Sequence, residues 1–312
     1  MFIVAKNVGE IRINILIVIN NDYRIDDNPF LSDNLFNNED SLSVLLWIKK
    51  YDDNKFDRIS YKRFQLKKYC AISFGNNLLD KNISPVYRVN DCLLEAIKSE
   101  IKRRDIDKII IKNPRYESEF KIIDNLRLNY PNLIITTKPS ANLIDQESFL
   151  NKHGFPKSFT KFRKTVEKNN YVLNPVNTRR NLNIFEKSEH AESKIKQIYD
   201  IEKFSLKSFI VYMKKFLPTY KNTRDQLHGN NISSQLSIPL SLGLVSPRRI
   251  FHFINVFEKK VISNQSTYWL KFELLWREYF KLLSLSYGSK IFSRNGILDT
   301  SNIPDKIGRA HV

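Results

Sequence analysis

The chain has 312 residues, 42% of them apolar, and carries 51 Lys and Arg against 33 Asp and Glu, a formal charge of +18. That composition excludes a disordered chain, and no apolar run approaches the ~18 residues needed to span a bilayer. The positive balance favours a polyanionic partner, nucleic acid first, although Lys, Asn and Ile are all abundant and base composition explains part of the excess.

The length suffices for two domains. Ile13–Ile19, Ser41–Ile48, Asp107–Asn113 and Asn132–Thr137 read as strands. Each is a continuous apolar run, as in strands covered on both faces. Amphipathic stretches lie between them at Tyr61–Phe74, Asp91–Arg104 and Tyr116–Tyr130. The alternation predicts an α/β N-terminal domain with a parallel, Rossmann-like sheet over residues 10–138. Residues 139–193 contain Pro139, Pro156 and Pro175 and many Asn, Lys and Thr. They are expected to form an inter-domain connector crossing the surface. Residues 194–305 read as helical, with candidates at Ile195–Phe216, at Pro247–Lys259 after a Ser246–Pro247 start, and at Ser266–Tyr287.

The 2 cysteines, Cys70 and Cys92, form no CxxC, and the 5 histidines have no metal-ligand spacing. No metal is expected, and the thiols read as reduced and core-side. The N-terminus has no secretory pattern. An intracellular, soluble protein is expected, its compartment left open among cytoplasm, nucleus and organelle.

"STYWLKFELLWREYF" (Ser266–Phe280) mixes charges with rings. At about 100° per residue, Trp269, Glu273, Trp276 and Phe280 share a narrow stripe, flanked by Phe272 and Arg277. Lys271 and Glu278 fall on the opposite side and are expected to be solvated. Two readings of the stripe stand: an internal Glu273–Arg277 pair at i,i+4, or a pocket wall whose rings stack a heteroaromatic ligand. Upstream, "NNISSQLS" before an apolar helix is either a capped helix start or a phosphate-binding turn.

Together, "YKNTRDQLHGNNISSQLSIPLSLGLVSPRRI" (Tyr220–Ile250) and the Ser266–Phe280 stretch closely resemble the FAD-binding helical domain of the photolyase/cryptochrome family. "INNDYRIDDNPFL" (Ile19–Leu31) looks like that family's first strand-to-helix motif. "FPKSFTKFRKTVE" (Phe155–Glu167) is similar to the motif joining the domains in the DASH cryptochrome branch. The resemblance implies an all-α FAD-binding domain after the α/β domain. It implies FAD contacts from Tyr220, Ser233, Ser234, Gln235, Leu236, Ser237, Trp269, Glu273, Trp276, Arg277 and Phe280. Glu273 is also implied to face damaged DNA bases, and Glu119 a methenyltetrahydrofolate antenna.

Several positions depart from the family pattern. Ser234–Gln235 stands where threonine–lysine is usual, so a phosphate-facing cation is lost. Ile238–Pro239 replaces proline–tryptophan, and Asn20 replaces an arginine. The family's helical domain continues beyond this chain, so the domain is expected to be incomplete, lacking the residues beside the reactive flavin nitrogen and the tryptophan relay. The last residues, "IGRAHV" (Ile307–Val312), match the translation of a common sequencing adapter. Residues 306–312 are therefore expected to be a non-native tail on an inactive fragment.

For the intact protein, the resemblance implies a monomeric, deoxyribodipyrimidine photolyase-type lyase that repairs cyclobutane pyrimidine dimers, preferably in single-stranded DNA. The alternative is a flavin blue-light photoreceptor without catalysis. A third reading is an α/β nucleotide-binding domain with a helical interaction appendage.

Overall fold

β1 (Asn14–Ile19) and β2 (Ser41–Lys49) are apolar along nearly their whole length and pair in parallel from Asn14↔Ser41 to Ile19↔Leu46. They form the centre of the sheet in a computed structural model that describes residues 12–37, 40–51, 60–176, 200–226, 228–229, 232–293 and 296–297. β3 (Ser84–Asn90) adds beside β2, and β4 (Lys108–Lys112) and β5 (Ile134–Lys138) extend the other side, giving the all-parallel order β3-β2-β1-β4-β5.

The continuous apolar runs follow from coverage of both faces. Ile15, Ile17 and Ile19 point toward α1 (Tyr61–Leu79), where Cys70, Ala71, Phe74 and Leu78 meet them. Leu16 and Val18 point toward α2 (Leu93–Arg104) and α3 (Glu117–Asn129), meeting Ala96, Ile97, Ile123 and Leu126. Cys92 differs from expectation: it is the residue before α2 and is exposed, whereas Cys70 is buried. β3 was not anticipated, because Pro85 interrupts its pattern. Proline lacks a ladder donor but is tolerated on an edge strand, and β3 is an edge.

The helical part contains α4 (Gln146–His153), α5 (Phe159–Asn169), α6 (Ile201–Lys215), a 3-10 turn (Leu217–Thr219), α7 (Tyr220–Thr223), α8 (Ser237–Leu242), α9 (Pro247–Lys260) and α10 (Gln265–Tyr287). Residues 139–176 therefore do not cross the surface as a connector. α4 and α5 bury Phe149, Phe159, Phe162 and Val166 in one core with Ile250, Ile254, Leu274 and Leu282 of α9 and α10. Each of these helices is short and polar on its outer face, so composition alone resembled a loop. Residues 177–199, including the start expected at Ile195, lie outside the described residues, as does the tail 306–312. Among the described residues no helix is long and apolar enough to cross a membrane, and no His/Cys/Asp/Glu cluster could hold a metal.

The loop after β1 joins the two parts. The amides of Asp22 and Tyr23 donate to the carbonyl of Leu242 at 3.0 and 3.3 Å. Gly243 follows at φ 65°, a left-handed turn where a Cβ would lie 2.4 Å from the Cα of Asp22. Arg24 donates to Asp22 (2.7 Å) and to the Gly243 carbonyl (3.0 Å). Buried Asp27 accepts from Arg248 Nε at 2.9 Å and from the Ser246 hydroxyl, and Asp26 takes a bidentate pair from Arg249 at 2.8 and 2.7 Å. The motif "YRIDDN" is thus an inter-domain clamp.

Candidate functional site

α10 begins on a reciprocal cap, with Asn264 accepting from the amides of Ser266 and Thr267 and Thr267 returning a bond to the Asn264 amide. The Asn264 side chain also donates to the Pro218 carbonyl (3.0 Å), and the Ser266 hydroxyl accepts from the Lys221 amide (3.0 Å). These bonds seat α7 against the first turns of α10. Arg224, just past α7, then lies over the Trp269 ring at 4.8 Å and pairs with Glu273. Tyr220 is buried beside them. Burial raises its pKa first, and the nearby Glu273 carboxylate adds to the rise.

The expected Glu273–Arg277 pair does not form. Arg277 turns to the domain junction, donating to the carbonyls of Ala141 (3.0 Å) and Leu240 (3.3 Å) and to Glu278 (3.1 Å). Its burial pulls its pKa below the ordinary arginine value. Glu278 is not solvated, as the helix period suggested; it is fully buried and faces Arg277, Lys281 and Gln146. Lys271 is likewise half-buried, paired with Glu258 of α9 at 2.6 Å. The face opposite the stripe is covered by other elements: Glu258 of α9 supplies the countercharge of Lys271, and Gln146 of α4 reaches Glu278, whose countercharges Arg277 and Lys281 lie on α10 itself.

The rings of the stripe stack on neighbours. Trp276 lies flat on Phe159 of α5, centroids 3.6 Å apart and planes 9° apart. Phe280 stacks on Trp276 at 5.6 Å and is 58% exposed. Trp269 meets Phe272 edge-on at 4.4 Å.

The serine run lies elsewhere. Ser233, Ser234, Gln235 and Leu236 form one side of an open groove of ≈ 560 Å³, whose other side is Phe204, Lys207, Tyr212 and Phe216 of α6 and the turn after it. Gln235 has φ 52° and turns the chain into α8, whose first residue is the exposed Ser237. Thr223 donates to the Ile232 carbonyl at 2.9 Å, tying this turn to α7. Tyr212 lines the groove, yet its hydroxyl is buried without a partner among the described residues, and burial raises its pKa.

No family model matches the chain. Curated relatives do: a cryptochrome DASH of Danio rerio is 49% identical over 81 residues, covering 26% of this chain and 16% of that protein. One from Synechocystis is 44% identical over 88 residues (28% and 18%), and one from Vibrio parahaemolyticus 29% identical over 213 residues (65% and 47%). Among solved structures, a Synechocystis cryptochrome superposes with a TM-score of 0.73 at 22% identity, covering 92% of this chain and 64% of that one. A class III photolyase from Agrobacterium tumefaciens gives 0.69 at 15% identity, covering 91% and 62%. The chain is thus similar in sequence to DASH cryptochromes and has the fold of the cryptochrome and photolyase structures. Its sequence matches fall on DASH cryptochromes, and the matched stretches span less than half the length of those relatives.

The residues that the resemblance singles out are spread over five places. Ser233 to Leu236 line the α6 groove. Tyr220, Trp269 and Glu273 gather around Arg224, and Trp276 and Phe280 join the α5 ring stack. Arg277 belongs to the domain junction. Glu119 pairs with Lys112 at 2.5 Å and accepts the Arg115 amide at 2.8 Å, beside a recess of only ≈ 20 Å³ lined by Asn20 and Lys112. That is about the room of one water. Sequence reasoning missed Arg224, Lys207 and Phe159. Arg224 sat within the quoted "YKNTRDQL", whereas Lys207 carried no local signal.

Proposed function

We propose that the chain carries part of a light-dependent, FAD-dependent flavoprotein that repairs cyclobutane pyrimidine dimers, with single-stranded DNA preferred. The α6 groove is the place for the dinucleotide in this reading. The observation that carries it is an open groove of ≈ 560 Å³ that presents Ser233 and Ser234 on one side and Lys207 on the other. Serine hydroxyls and an ammonium suit phosphate oxygens. Lys207 supplies the cation that Gln235 does not. Phe204 and Phe216 give the groove an apolar side, which suits a flat heterocycle.

When bound, FAD supplies the light absorption and the electron that opens the dimer. The protein's own groups bind and orient. Arg224 holds Glu273 and Trp269 in one fixed arrangement, and the exposed Phe280 offers a ring face on which an extruded base can stack. The relationship to DASH cryptochromes supports the same reading.

Titration of FAD against the protein, followed by flavin fluorescence, tests the groove. Lys207→Glu should weaken binding roughly tenfold or more, while Lys207→Arg retains it. Equal FAD binding by the Lys207→Glu variant would sink the assignment, as would no binding by the parent.

A further inference from the structure

α5 presents a second face that the ring stack does not use. Phe159, Phe162 and Val166 point inward, and Lys161, Lys164 and Lys168 lie within about 60° of one another on the opposite side. All three lysines are exposed, and none pairs with a described carboxylate. The acidic residue of this helix, Glu167, accepts from the Tyr268 hydroxyl at 2.8 Å, and Arg163 is turned toward Tyr268 and the Phe272 ring. The lysine row borders an open, shallow depression of ≈ 620 Å³, which His153, Ser158, Thr160, Thr165 and Asn169 also line.

We propose that this face of α5 is a docking surface for the phosphate backbone of a single nucleic-acid strand. Uncompensated like charges in a row repel one another, so the arrangement favours an anionic partner that bridges them. From Lys161 to Lys168 the helix rises about 10 Å. A strand advancing ~3.4 Å per nucleotide places about three phosphates along that length. The hydroxyls of Ser158 and Thr160 at the edge of the depression add donors for phosphate oxygens without reading any base. The other face of the helix carries Phe159, flat on Trp276, so a strand held here lies one helix diameter from the ring stack.

The inference rests on the nucleic-acid reading above but assigns the contact to residues outside the groove and the α10 stripe. It is tested by fluorescence anisotropy with a short, dimer-free oligothymidylate, titrated from about 50 to about 200 mM salt. The triple variant Lys161→Gln/Lys164→Gln/Lys168→Gln should lose roughly tenfold or more in affinity at the low-salt end. Its log–log salt slope should shrink by about 2, at ~0.7 per phosphate. The matching Lys→Arg triple variant should keep both. A parent that binds and a Gln variant with unchanged slope would remove the α5 surface alone and leave the nucleic-acid reading standing. A parent that binds no oligothymidylate removes both, and binding only to anionic phosphatidylserine vesicles would assign the row to a lipid surface instead.

Discussion

Replacing Asp27 by alanine should loosen the junction between the α/β and helical parts more than any single contact on the surface. Asp27 is fully buried, and its carboxylate accepts from Arg248 Nε (2.9 Å), from the Ser246 hydroxyl and from the Val176 amide at 2.6 Å. Arg248 is itself only 7% exposed, so removing Asp27 strands a guanidinium away from water. Breaking one side of a buried pair costs about 3–5 kcal/mol, mostly from the charge left behind. At ~2–4 °C per kcal/mol for a chain of a few hundred residues, the melting temperature should fall by about 6–20 °C. Thermal melts followed by circular dichroism give the shift. Hydrogen exchange of the Asp22 and Tyr23 amides, which bond to the Leu242 carbonyl, reports whether the junction opens. The double variant Asp27→Ala/Arg248→Met removes both charges and should be more stable than Asp27→Ala alone. A single-variant loss under about 1 kcal/mol, or a double variant as poor as the sum of the two singles, would refute the assignment of the cost to a stranded charge.

Gly243→Ala should destabilise by about 2–5 kcal/mol, combining a left-handed backbone with a Cβ forced to 2.4 Å from the Asp22 Cα; chemical denaturation with unaltered or weaker signal would show that the junction has slack. Glu202 accepts the amides of Ile25 and Asp26 at 2.8 Å each, and burial pushes its pKa up from 4.5 to about 7. The folded state therefore binds the extra proton between those values, so the contribution of this group to stability is full below about pH 4.5 and falls by up to ~3 kcal/mol as pH rises through about 7. Glu202→Gln should flatten that decline in denaturation midpoints measured at about pH 5 and about pH 8; an equal decline in the variant would place its origin elsewhere.

Much of this architecture was legible along the chain. The runs of β1, β2 and β4 are apolar at consecutive positions, which only strands covered on both faces require, and Ile15–Ile17 against Leu16–Val18 divide between the two cores; β5, an edge strand of sequence IITTK, is only partly buried. The Ser246–Pro247 start was readable because capping is local: the Ser246 hydroxyl accepts from the amides of Arg248 and Arg249, two and three residues on. The helix period likewise showed which residues of α10 share a stripe. What it could not show was their partners. Glu273 pairs with Arg224 and not with Arg277, because α7 reaches α10 through the Ser266–Lys221 bond and brings the closer cation. Glu278 is buried because Gln146, from a segment that read as a loop, arrives at the face assigned to solvent. Trp276 stacks on Phe159 across a helix pair that composition did not suggest. Periodicity along a chain fixes which side chains point the same way; only the packing of distant segments decides what stands in front of them, and burial of a charge depends on that alone.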